Sequence, residues 1–160
     1  MIVSNTTPIS NLLHVKLIRL LPILFSQVHI PLAVADELNV VFANCQELHQ
    51  AINDENIVLD KVSNRLFINH MTPFLHRGEI EAICLGLENN AKLCLMDDKD
   101  GREVAIMNNL PVTGTLGILL KAKNVGLISS IKDFVDELRT SNHFWVSEAM
   151  YQKVMCLAKE

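Results

Sequence analysis

Short apolar runs alternate with longer helical patterns along most of this chain, and that alternation restricts the fold more than any other feature. Ile2 to Ser4 precedes a helical pattern from Leu12 to Phe25; Val28 to Pro31 precedes Ala33 to Val41; Leu93 to Met96 precedes Arg102 to Asn108. Strands joined through helices run parallel, because a parallel pair needs a crossover that a tight turn cannot supply. The pattern therefore predicts an α/β fold of βαβ units around a parallel sheet. Pro111 to Gly114 reads as a last short strand, and Leu116 to Lys123, Ile131 to Leu138 and Ser147 to Leu157 as helices. In the middle, Cys45 to Asn53 looks helical and Asn56 to Val62 extended before a helix restarts near Gly78. No repeat, low-complexity tract or Gly/Ser-rich linker interrupts the chain. One domain over residues 1–160 is expected, with the C-terminal helix 147–157 packed on it.

Composition bounds the function classes. With 160 residues, 49% of them hydrophobic, the chain can bury a sizeable core, and disorder is excluded. A net charge of −4 argues against a broad basic face, so any nucleic acid must be held locally. Cys45, Cys84, Cys94 and Cys156 form no C-x-x-C pair, and Met1-Ile2-Val3-Ser4 reads at once as structure rather than as a leader. Leu17 to Phe25, the most lipid-like stretch, carries Arg19 and Pro22 and is shorter than the roughly 20 residues of a membrane span. Reduced thiols, a cytoplasmic location and no membrane contact are the expectations.

In an open parallel sheet, ligands gather at the carboxyl ends of the strands. Here those ends are polar: Ser4-Asn5-Thr6-Thr7, Asp97-Asp98-Lys99-Asp100 and Thr113-Gly114-Thr115. Glu37, after the second strand, and Glu79, at the start of the helix feeding the third, could face the same crevice. Carboxylates brought together repel one another, which protonation or a bound cation must offset. Mg²⁺ or Mn²⁺ takes oxygen ligands and bridges to phosphate oxygens, which suits a phosphodiester substrate. No His/Cys cluster points to zinc, and the six histidines show no partner pattern that assigns one a catalytic role.

With these residues in place, the chain resembles the PIN-domain nucleases, and within them the branch of VapC-like toxins of toxin–antitoxin pairs. The matching stretches are VSNTTPISNLL, HIPLAVADEL, GEIEAICLGLE, LCLMDDKDGREVA and LPVTGTLGILLKAKNVGLI, in the family's order over most of the chain. The resemblance implies a compact three-layer α/β/α PIN-like domain with a short parallel central sheet, whose acidic pocket binds Mg²⁺ or Mn²⁺ and hydrolyses single-stranded RNA, in a homodimer held inactive by a small DNA-binding antitoxin. It implies Glu37, Glu79 and Asp97 as the catalytic acids and metal ligands, with Asn5 where the family usually has its first aspartate. Glu81 and Asp98 are the nearby alternatives, Asp98 also as a ligand. Asn5 is a departure: an amide oxygen can ligate a hard cation, but it brings no charge and takes no proton from water.

Plainer readings stand beside these. Asp97 to Gly101 also reads as a solvated turn with an aspartate capping the next helix. Its D-x-D-G letters resemble the haloacid-dehalogenase phosphatases, although Arg102 stands where that motif expects Thr or Val. An EF-hand fails because its first and twelfth positions would be Met96 and Met107. Glu79 and Glu81 also suit a helix N-terminus electrostatically, and Glu37 reads as an ordinary helix acid. Asn5 reads as a cap, with Pro8 in the first turn. Thr113 and Thr115 are candidates to orient a water or a phosphate oxygen, and Arg102, with Arg77, Lys99, Lys121 and Lys123, to contact phosphate. Two apolar stripes, Leu12, Leu13, Leu17, Leu20, Leu21 and Trp145, Met150, Val154, Leu157, either close onto the sheet or meet a partner. The competing function classes are a catalytically weakened scaffold that binds RNA or antitoxin, and a phosphatase or nucleotide-binding domain.

Overall fold

The computed structural model describes residues 1–141 and 144–160. Five strands form one parallel sheet: β1 (Ile2–Ser4), β2 (Val28–Pro31), β3 (Ile57–Asp60), β4 (Leu93–Leu95) and β5 (Val112–Thr113), in the order β3-β2-β1-β4-β5. The chain builds outward from β1 through β2 to β3, then returns to the other side of β1 for β4 and β5. Successive side chains on a strand point to opposite faces, so Cys94 and Leu95 enter different cores. One core packs Ile9, Leu12, Ile118 and Leu119 against Ile30 and Leu95; the other packs Ala82, Ile83 and Ala105 against Val3, Cys94 and Met96. The architecture is a three-layer α/β/α sandwich: the parallel sheet is the one the alternation predicts, and the layering is what the resemblance implies.

Ten helices are present among the described residues: α1 (Thr6–His14), α2 (Leu20–Phe25), α3 (Leu32–Phe42), α4 (Gln46–Asn53), α5 (Arg65–Met71), α6 (Arg77–Glu88), α7 (Lys99–Met107), α8 (Thr115–Asn124), α9 (Lys132–Ser141) and α10 (Glu148–Ala158). The helix expected from Leu12 to Phe25 is instead two. Lys16 turns left-handed at φ 58, the Leu17 N–H bonds Leu12 O at 2.7 Å and the Lys16 N–H bonds Leu13 O at 3.1 Å, which closes α1 as a Schellman motif. The apolar stripe continues across the break because both helices lie on the same core. Leu12, Leu13, Leu20 and Leu21 are buried there and Leu17 is half-buried against the same core, so this stripe closes mainly inward. α5 has no counterpart in the periodicity; none of its residues is buried, and Asn64 caps it by accepting from the Phe67 N–H at 3.1 Å. α7 begins at Lys99 rather than Arg102, because Asp98 accepts from the Asp100 and Gly101 N–H groups at 3.0 and 3.1 Å.

α10 packs on α8 and buries Tyr151, Val154, Met155 and Ala158, whereas Trp145, Met150 and Leu157 stay exposed. Among the described residues no helix is long and apolar enough to cross a membrane. All four cysteines are free, and burial pushes the Cys94 thiol up to about 12, which leaves it inert packing.

Candidate active site

The sheet changes direction of growth between β1 and β4, and a crevice opens beyond the carboxyl ends of those two strands. Ser4 pairs with Leu95, so both strands end at the same level, with Asn5 directly after β1 and Asp97 two residues after β4. A cavity of about 990 Å³ holds Asp97, Asp98, Arg102 and Thr113 on its wall; a smaller cleft of about 500 Å³ holds Asn5, Glu37 and Arg77. Thr6, Thr7, His76 and Glu79 line both, so Glu79 stands where the two meet. The structure thus brings Asn5, Glu37, Glu79, Asp97 and Asp98 to one end of the sheet, divided between two adjoining hollows.

Each carboxylate in this region is tied to a helix N-terminus. Glu37 accepts from the Gly78 N–H at 3.2 Å and from the Thr6 hydroxyl. Glu79 accepts from the His76 N–H at 3.0 Å, and Asp97 from the Thr115 N–H at 2.8 Å. Asp98 caps α7, and Glu81 accepts from the Ala33 N–H at 3.3 Å in the first turn of α3. Helix N-termini carry partial positive charge, so the fold itself offsets part of the repulsion among these acids. The sequence suggests this placement for Glu79, Glu81 and an aspartate before α7; the structure extends it to Glu37 and Asp97.

Two glycines make the arrangement possible. A Cβ on Gly78 would sit 2.6 Å from both Glu37 carboxylate oxygens, and a Cβ on Gly114 would overlap Asp97 Oδ1. Asp97 is further held by Thr115 Oγ1, which donates to its Oδ2 at 2.5 Å, and by Asn11 Nδ2 at 3.3 Å. Burial pushes the Asp97 carboxyl above the usual aspartate range, opposed by the Thr115 and Asn11 hydrogen bonds and by the Arg102 charge. Glu79, 9% exposed, is also raised, chiefly by burial and then by the Asp98 carboxylate, against the His76 N–H.

The alternatives separate. Glu81 lines neither hollow; it binds Ala33 N–H and Arg77 Nε, the latter at 2.7 Å, and so fastens α6 to α3. Asp98 faces the cavity but spends one oxygen on the α7 cap. Thr115 is fully buried and off the cavity wall, so it positions Asp97 rather than meeting a substrate. Thr113 reaches the wall, as does Arg102, whose Nη1 also donates to Met96 O at 2.8 Å. Of the other expected phosphate contacts, Lys121 lies over the Phe25 ring at 4.6 Å and Lys123 pairs with Glu160, whereas Lys99 reaches the cavity wall beside an exposed contact with Glu103 at 3.8 Å.

Asn5 occupies the N-cap position of α1, yet its side chain makes no cap hydrogen bond. The residue is 2% exposed and its Oδ1 has no hydrogen-bond partner. A buried acceptor left unpaired costs about 1–3 kcal/mol, so an oxygen held this way is suited to a ligand that the protein atoms do not supply. Among the described residues no three Asp, Glu, His or Cys side chains stand close enough together to hold a metal by themselves. A closed zinc-type site is thereby excluded for the described residues. An ion such as Mg²⁺, which keeps several waters and needs only one or two carboxylates beside phosphate oxygens, fits the donors present.

Sequence reading named Thr6 only as part of a polar strand end and missed Asn11 and His76. The signals were there: an Asn six residues after Asn5, and a His directly before the Arg77-Gly78-Glu79 start of α6. Of the remaining histidines, His29 pairs with Asp60 at 2.6 Å, and His143 lies outside the described residues.

Residues 1–160 match the family DUF3368, described as a PIN domain. No curated protein and no solved structure gives a significant match.

Proposed function

This chain belongs to the PIN-domain family DUF3368, and from that membership we propose that it is a divalent-metal-dependent endoribonuclease acting on single-stranded RNA. PIN domains have a nuclease-type fold and commonly use divalent metals, which is the coarse reading that membership supplies. The observation that carries the finer one is the buried, unpartnered Asn5 Oδ1 beside a crevice that also presents Glu79 and Asp97.

Asn5, Glu79 and Asp97 would hold Mg²⁺ or Mn²⁺, with Glu37 and Asp98 flanking. The chemistry such an ion supplies is a water made nucleophilic at neutral pH and charge neutralisation at the scissile phosphate. The chain's own residues do the rest. Arg102 and Thr113 face the cavity where a phosphate would lie and orient it. A carboxylate of the site that is not spent on the ion would accept the proton of that water. Thr115 and Asn11 hold the Asp97 carboxylate in one orientation.

The same reading makes the chain the toxin of a toxin–antitoxin pair: a cytoplasmic homodimer restrained by a small DNA-binding antitoxin. Exposed Val40, Val41, Leu66 and Phe74 supply apolar surface for such contacts. A second reading, an RNA- or antitoxin-binding scaffold without activity, draws support from the carboxylates' engagement with backbone N–H groups and from the lack of a three-acid cluster among the described residues. End-labelled single-stranded RNA incubated with Mn²⁺ separates the two. Cleavage that chelation stops supports the nuclease; RNA bound but intact at every Mn²⁺ concentration supports the scaffold.

A further inference from the structure

The nuclease reading leaves the other half of the large cavity unexplained. Its far wall is apolar and is formed where the chain enters α10: Phe144, Trp145 and Met150 face the same space as Asp97 and Arg102. Trp145 is the chain's single tryptophan and is 84% exposed, the reverse of what its size favours. It is nonetheless held in a fixed frame. Val146 beside it is buried, the Phe144 N–H donates to Leu138 O at 3.1 Å, and Ser147 caps α10 by accepting from the Met150 N–H at 3.2 Å. An exposed ring between two anchored neighbours is presented, not merely left over.

We propose that Trp145 is a stacking platform for an unpaired base of the RNA whose phosphate lies at the acidic end of the cavity. The proposal rests on the nuclease reading and adds a second subsite to it. Lys153, on α10 and on the same wall, makes no ion pair among the described residues; together with Arg102 it supplies cationic partners for the phosphates between the two ends. A cavity of about 990 Å³ is at the upper end of what encloses one drug-sized ligand, which leaves room for more than the scissile phosphate. Stacking on an aromatic face tolerates any base but requires it to be out of a duplex, so this residue would enforce a preference for single strands.

The single tryptophan makes the test direct. In chelator, so that no RNA is cut, an eight-nucleotide single strand should quench the protein's tryptophan emission on binding, whereas a blunt duplex should not. Trp145→Ala should weaken single-strand binding about tenfold, read by anisotropy of labelled RNA, and Trp145→Phe by about threefold or less. The difference between the wild-type protein and Trp145→Ala should vanish for an RNA carrying an abasic site at the stacked position. Equal affinity of Trp145→Ala and wild type, with unquenched emission at saturating RNA, overturns the subsite while Mn²⁺-dependent cleavage keeps the nuclease reading. Loss of a dimer in Trp145→Ala with unchanged RNA affinity overturns it in favour of a contact between copies of the chain. A wild-type protein that neither binds nor cleaves RNA removes both.

Discussion

Thr115→Val removes one hydroxyl from the bottom of the crevice and leaves the shape almost unchanged. Thr115 is fully buried, and its Oγ1 donates to Asp97 Oδ2 at 2.5 Å while accepting from Asn11 Nδ2 at 3.1 Å. A hydrogen bond to a charged group contributes about 1.5–3 kcal/mol and an ordinary one about 0.5–1.5 kcal/mol, so the substitution should cost about 2–4 kcal/mol. For a chain of this size that lowers Tm by roughly 5–15 °C. The cost should also depend on pH. Burial holds the folded Asp97 carboxyl above its ordinary 3.8, so the folded state takes up this proton first and the group's contribution to stability falls as pH rises through the folded value. Removing the Thr115 donor raises that value further. The penalty of Thr115→Val should therefore be smallest in acid, where Asp97 is protonated in both proteins, and should grow as pH rises above the folded pKa. Urea unfolding of both proteins at a series of pH values from the ordinary aspartate 3.8 upward measures it. A penalty below about 0.5 kcal/mol, or one that stays constant over the whole series, would refute the claim that Thr115 holds a charged Asp97.

Gly114→Ala places a Cβ on Asp97 Oδ1 with Met96 O 3.2 Å away, so it should abolish Mn²⁺-dependent cleavage while lowering Tm by only a few degrees; comparison of melting with RNA cleavage checks it. Asn5→Asp adds a carboxylate among others, and should lower Tm in chelator yet tighten Mn²⁺ binding measured by calorimetry. Glu79→Gln removes a carboxyl whose pKa burial raises, so it should raise stability at pH 8, lose that gain in acid, and abolish cleavage. Glu81→Gln weakens only the link from α6 to α3, and should cost about 1 kcal/mol with Mn²⁺ affinity unchanged.

The sheet was legible because its strands are buried on both faces and so are continuously apolar, and because the polar residues that end them cannot serve a core. Helix ends were not. Among the described residues seven with positive φ follow helices, Lys16, Ser26, Glu55, Asn90, Asn109, Gly126 and Lys159, and only one of them is a glycine. Hence Leu12 to Phe25 reads as one helix until Lys16 reverses it. α5 was missed because a seven-residue helix with no fully buried residue, only Phe67, Ile68 and Met71 half-buried, is too short to show a periodic stripe. At the site, spacing brought out Asn5, Glu37, Glu79 and Asp97, which the fold gathers at one end of the sheet. It could not separate Glu79 from Glu81, two residues apart on one helix, since that depends on the crevice each side chain faces. Nor could it show that Thr115 points inward, because a Thr-Gly-Thr turn looks the same whether its last hydroxyl meets solvent or Asp97.

The most direct test of the cation site is an anomalous difference map from crystals of the protein soaked in Mn²⁺. The account predicts a peak in the crevice at the ends of β1 and β4, in coordination distance of Asn5 Oδ1 and of a carboxylate oxygen of Glu79 or Asp97. A crevice without a peak at saturating Mn²⁺, or a peak there that leaves Asn5 Oδ1 uncoordinated, would contradict it.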